Sequence, residues 1–186
     1  MLSRDELGDL LQLDDERFHR RVAADVETEE YDVESLRELA DDYTDSTLLE
    51  SMTAATADDV SLGDRERGLI RRIRVFDEAT FGITLTGPAY ADNPVRYANQ
   101  KFRDLTGYSL GDLHEENLRL LQGPDTDPGP VADLREALST WSRATTTLTN
   151  YRADGTQFRN RVSIVPVTDR GGSVVNWIGI QEQVDE

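Results

Sequence analysis

The chain has 186 residues, 37 of them Asp or Glu and 20 Lys or Arg, for a formal net charge of −17. Cysteine is absent, which excludes disulfides, thiolate metal sites and thiol chemistry. The acidity opposes nonspecific attraction to nucleic acid or to anionic membranes.

The first sixty residues read as short helices. Ser3 and Glu6 have capping-box spacing ahead of Leu7, Leu10 and Leu11. Asp14 to Glu27 reads as a second helix carrying Phe18, Val22 and Val26 on one face. Leu36, Leu39, Ala40 and Tyr43 follow helical periodicity, and Leu48, Leu49 and Met52 suggest one more short helix. Such pieces are not stable alone and must pack on each other, on the following domain or on a second chain. Ala54 to Asp64 reads as a linker, with Ser61 and Asp64 opening a helix over 64–80. Leu69, Ile73, Phe76 and Thr80 mark its apolar face. Arg65, Arg67, Arg71, Arg72 and Arg74 cluster in it, as a solvated face or, in a sharper reading, as a basic surface for acidic partners or nucleic acid.

From Phe81 the period changes. FGITLTGP and NPVRYAN read as short strands. A helical turn closed by Gly107 follows, then a short helix opened by Ser109. Asp127 caps a longer helix with proline in its first turn. Residues from Arg143 to Val184 read as three strands with hairpin turns at Asp154-Gly155 and Gly171-Gly172. The expected organisation is an N-terminal helical extension (1–60), a linker helix (61–80) and an α+β domain (81–184).

Asn150 and Asn160 stand on two strands of one hairpin with the turn midway, so they should lie near each other. They read either as an inward amide pair or as ordinary strand-end asparagines. His19 and His114 belong to no metal or nucleophile constellation and read as surface residues, so no enzyme is expected. No apolar run approaches the ~20 residues of a membrane span, and no secretory signal is visible. A cytoplasmic protein is therefore expected. Lys101 is the only lysine, and this acid-rich, lysine-poor composition is similar to that of proteins from salt-loving archaea.

Taken together, GITLTGPAYADNPVRYAN, FRDLTGY, NLRLLQGPDTDP, NYRADGTQFRN and WIGIQ resemble the LOV domain, the flavin-binding branch of the PAS family, in order and in spacing. The resemblance implies a five-stranded antiparallel sheet with short helices and one longer helix over one face. It also implies FMN held noncovalently; FAD is disfavoured because the segment from Gln122 to Arg135 is short. By that resemblance Arg119 and Arg135 hold the terminal phosphate, and Asn117 and Gln122 contact the ring or its ribityl chain. Asn150 and Asn160 face the polar edge of the ring. Leu120, Leu121, Phe158 and Ile164 form apolar walls. Gln181 sits beside the ring nitrogen that gains a proton on reduction.

One position departs from the pattern. Leu118 stands where the family has its photoactive cysteine, between Asn117 and Arg119. Adduct chemistry is therefore impossible. The expected function is a sensor that works by flavin photoreduction and N5 protonation read by Gln181, with Tyr97, Tyr108, Tyr151 or Trp177 as the electron source. The alternative is a flavin-free PAS module for interaction or dimerisation. The expected assembly is a homodimer through the N-terminal or linker helices, with the signal leaving on that side because the chain ends close to its last strand. A DNA-binding output at 32–56 is opposed by the lack of Arg or Lys in the proposed second helix of that pair.

Overall fold

The computed structural model describes residues 2–25, 62–77 and 79–185. The expected helices around Leu36–Tyr43 and Leu48–Met52, the end of the second helix at Val26 and Glu27 and the linker up to Ser61 lie outside the described residues. The chain divides into two compact units, Met1–Phe76 and Asp77–Glu186.

The first unit contains helices α1 (Arg4–Leu11), α2 (Asp15–Asp25) and α3 (Asp64–Arg74), each packed on the other two. Its apolar residues recur at helical spacing, and Leu7, Leu11, Phe18, Ile70 and Ile73 are buried. Phe18 meets Phe76 edge to face, with centroids 6.2 Å apart. The capping box of α1 forms as its spacing predicts: Ser3 Oγ accepts from Glu6 N–H at 3.2 Å, and the Glu6 carboxylate accepts from Ser3 N–H at 2.8 Å. These bonds hold the Glu6 carboxyl below the ordinary range.

Helix α3 starts at 64 as expected but stops early, and the expected cap at Ser61 lies outside the described residues. Gly63 is its N-cap, and Glu66 reaches back to accept from Gly63 N–H at 3.2 Å. The longer Glu side chain spans that first turn, so the box is set by Gly63 and Glu66. The helix ends at Arg74 rather than at 80. Asp77 accepts instead from the backbone of Gln100, at 3.2 Å, and of Lys101, at 3.1 Å, so it is committed to the second unit. Nor is the arginine cluster simply solvated. Arg72 Nε donates to Leu11 O at 2.8 Å and its guanidinium pairs with Asp15, which makes it a strut between helices. Burial lowers its pKa and Asp15 opposes the shift.

The second unit is a five-stranded antiparallel sheet in the order β2-β1-β5-β4-β3. The strands are β1 (Gly82–Thr86), β2 (Val95–Ala98), β3 (Ala144–Tyr151), β4 (Gln157–Thr168) and β5 (Val174–Gln183). Helices α4 (Gln100–Thr106) and α5 (Leu110–Leu113) and a 3-10 turn at Leu118–Leu121 follow β2, and α6 (Pro128–Thr140) packs on β3. Asn99, Ser109 and Asp127 cap α4, α5 and α6 through side-chain oxygens. Gly107 closes α4 at φ 75°, and Gly155 takes φ 83° in the β3–β4 hairpin, a region that glycine enters without a Cβ clash. His114 departs from its surface reading. Its side chain is only 6% exposed, because the turn after α5 bridges to Val95.

Candidate binding cavity

Strand alternation sends every second residue of the sheet towards α6 and the Leu118–Leu121 turn. Thr84 and Thr86 of β1, Trp177, Gly179 and Gln181 of β5, Val162 and Ile164 of β4, and Leu148 and Asn150 of β3 share that face and line a cavity. Val131, Leu134 and Leu138 of α6 form the opposite wall, and Val131 joins Leu148 and Val162 in one core cluster. The cavity volume is about 190 Å³, far beyond the ~10–15 Å³ that one water requires.

One wall is built of neutral amides. Asn160 Nδ2 donates to Asn150 Oδ1 and to Gln181 Oε1, both at 2.8 Å. Asn150 Nδ2 donates to Leu121 O at 3.1 Å, tying the chain of amides to the 3-10 turn. All three side chains are buried, and Gln181 Nε2 has no protein partner among the described residues. The β3–β4 register explains the pairing. Asn160 stands opposite Leu148, and Asn150 opposite Phe158, so the two asparagines are diagonal neighbours on one face.

The charged lining lies at the other end. Among the described residues, Arg119 and Arg135 are the charged side chains in the cavity wall, and no carboxylate lines it. Both arginines are exposed, which places them at the mouth. Arg119 pairs with Asp92, and Asn117 Nδ2 donates to the carbonyl of Asp92, which sits at φ 67°. Asn117 also caps the turn by accepting from Arg119 N–H at 2.9 Å. Gln122 lines the cavity from the exposed end of the turn. Gly123 follows it because a Cβ there would stand 2.3 Å from the Tyr151 ring.

Of the expected residues, Asn117, Leu118, Arg119, Leu121, Gln122, Arg135, Asn150, Ile164 and Gln181 therefore line one cavity. Three are placed elsewhere. Asn160 lies behind Asn150 and Gln181, whose amides cover it. Leu120 packs on the cluster of Val95, Phe102 and Leu113. Phe158 has the correct strand parity but sits next to the hairpin, beyond the cavity, where the Arg152 guanidinium lies 4.5 Å over its ring. Sequence reading passed over Thr84, Thr86 and Gly179, and named Trp177 only as one of several electron sources. Their shared parity with Gln181, once β1 and β5 are paired, is the signal that finds them.

Three polar atoms in or behind the walls are buried without a hydrogen-bond partner among the described residues: Thr84 Oγ1, Trp177 Nε1 and Asn160 Oδ1. Buried polar groups are satisfied in the great majority of cases, so a cluster of orphans marks a place where a polar ligand completes the structure. Gly179 keeps the wall thin there, since a Cβ on it would stand 2.5 Å from Thr84 Oγ1. Neutral amides suit an uncharged heterocycle edge with both donors and acceptors, and two guanidinium groups suit a phosphate. The residues present thus fit a flavin that carries a phosphate.

A family model describing a PAS domain matches residues 81–186. The bacterioopsin transcriptional activator of Halobacterium salinarum is 38% identical over 118 residues, covering 62% of this chain and 18% of that protein. A blue-light photoreceptor of Listeria monocytogenes is 36% identical over 112 residues, covering 60% of this chain and 44% of its own length. The chain thus spans less than half of either relative. A solved light-oxygen-voltage domain from work on a flavin analogue is 39% identical, with a TM-score of 0.58 over 61% of this chain and 84% of its own.

Proposed function

The chain belongs to the PAS-domain family through residues 81–186, and from that premise we propose a flavin-binding sensor of the LOV type that holds FMN without a covalent bond. The observation that carries this reading is the buried chain Asn150–Asn160–Gln181 in a cavity with two arginines at its mouth. When bound, a flavin supplies a ring that absorbs blue light and accepts an electron and a proton.

The chain's own residues then have distinct tasks. Arg119 and Arg135 hold the phosphate, and Asn117 and Gln122 hold the chain that joins phosphate to ring. Asn150 holds the polar edge, with Asn160 fixing its amide from behind. Leu118, Leu121 and Ile164 exclude water. Gln181 is the switch: its Oε1 is held by Asn160 while its Nε2 is free. Rotation of that amide presents an acceptor to the cavity, releases Asn160 Nδ2 and so alters β5. The signal leaves through a homodimer formed by the N-terminal helices, with 1–60 and the linker helix as the output element and 81–184 as the sensor.

FMN is preferred over FAD because the segment after Gln122 is sewn to β3. Thr126 Oγ1 donates to Thr149 O at 2.7 Å and Asp125 N–H donates to Tyr151 Oη at 2.9 Å, which leaves no slack for an adenosine. The flavin-free alternative requires a filled interior, and half-buried Leu118 leaves the cavity open beside it.

The test is cofactor analysis of protein made in flavin-replete cells and kept in concentrated salt. A yellow preparation releasing FMN on denaturation supports the reading. FAD in the extract would correct the cofactor, and colourless folded protein would overturn the sensor.

A further inference from the structure

Trp177 is the one aromatic side chain in the cavity wall among the described residues. It lies on β5, is 2% exposed, and stands opposite Thr86 on one side and Pro166 on the other. The tyrosines that could rival it are elsewhere. Tyr97 Oη donates to Asp77 at 3.4 Å, Tyr151 Oη donates to Asp125 at 3.0 Å, and Tyr108 packs on the cluster around Phe102. The indole Nε1 of Trp177 is buried with no protein acceptor among the described residues.

We propose that Trp177 is the electron donor to a photoexcited flavin in this cavity, and that the lack of a protein base at its indole N–H makes the transfer self-reversing unless a reductant from solution intervenes. The proposal rests on the flavin reading above. In the light step one electron leaves the indole and enters the ring; no bond forms or breaks. An oxidised indole is a cation radical whose acidic proton is Nε1–H. A base beside Nε1 would take that proton and trap the neutral radical. Here no protein base among the described residues stands within hydrogen-bond reach, so no side chain takes the proton and the oxidised indole remains a strong oxidant. The electron returns, and both partners are restored without net chemistry.

Net reduction of the ring persists only when a second donor refills the indole first. A thiolate of a small-molecule thiol can do so, losing one electron to become a thiyl radical that pairs with another as a disulfide. The output would then require light and a reducing solution together.

The experiment compares the wild-type protein with Trp177→Phe, which keeps an aromatic wall, and with Tyr97→Phe and Tyr151→Phe. Flavin fluorescence yield and lifetime are read first, because they report quenching by a wall donor without any turnover. Trp177→Phe should be several-fold brighter and longer-lived, and its photoreduction in the presence of a thiol should slow. The tyrosine variants should match the wild type. In wild-type protein without thiol, a laser flash should produce an indole cation radical that decays together with ring recovery. Equal fluorescence and equal photoreduction in Trp177→Phe would overturn the proposal. Should that variant not fold, a tyrosyl radical, or no protein radical, in flashed wild-type protein would overturn it instead. Colourless wild-type protein would remove the flavin reading as well, and is distinguished by its absorption spectrum.

Discussion

Asn160 Nδ2 donates to Gln181 Oε1 and to Asn150 Oδ1, both at 2.8 Å, so one buried amide commits both of its hydrogens to the two that line the cavity. Its own Oδ1 has no partner among the described residues. Strands β3, β4 and β5 are thereby joined by side chains as well as by their backbone ladder.

Gln181→Leu would leave one Asn160 hydrogen without an acceptor in a dry wall. A buried donor left unsatisfied costs about 1–3 kcal/mol, and the denaturation midpoint of the variant should fall accordingly. The same change made in an Asn160→Leu background should cost less, because the orphaned donor is already gone. Strict additivity in that double-mutant cycle would show that the two amides do not interact in solution.

Leu118 lines the cavity from the 3-10 turn, at the position where the family carries its thiol. Leu118→Cys should therefore restore adduct formation in flavin-loaded protein. The measurement is the blue absorption band, which should bleach in light and recover in the dark. A variant that binds flavin but never bleaches would mean that residue 118 does not approach the ring.

Gly179 and Thr84 are register partners on β5 and β1. A Cβ on Gly179 would stand 2.5 Å from Thr84 Oγ1, and the β-branched threonine has little rotamer freedom to move away. Gly179→Ala should cost about 1–3 kcal/mol from overpacking. Adding Thr84→Ala should recover most of that loss. Equal thermal midpoints for Gly179→Ala and wild type would show that the wall yields.

Net charge of −17 makes the fold salt-dependent. The Debye length falls from ~10 Å at 0.1 M to ~3 Å at 1 M ionic strength, which screens the self-repulsion of the acidic surface. The thermal midpoint should rise steeply between dilute buffer and molar potassium chloride. A flat response would mean that local pairs, such as Arg72 with Asp15, already neutralise the repulsion.

Much of the fold was legible because its signals are local. Ser3, Asn99, Ser109 and Asp127 are short polar side chains ahead of apolar periodicity, and each caps the helix it precedes. Alternation and the Asp154-Gly155 turn are enough to place β3 against β4, and with them Asn150 near Asn160. The start of α3 at 64 was legible, but its cap at Gly63 was not, because that cap has no side chain and rests on the reach of Glu66.

The sequence by itself determined the class of fold, the absence of any thiol and the supply of amides and arginines, because composition, periodicity and turn chemistry are properties of neighbouring residues. Only the tertiary structure decided which of those side chains share a cavity. It moved Asn160 behind the wall, left Phe158 beyond it, and brought Trp177 and Thr84 into or beside it. The physical reason is that strand parity says which face a residue takes, whereas its position along the cavity depends on register between strands distant in the chain, such as β1 and β5.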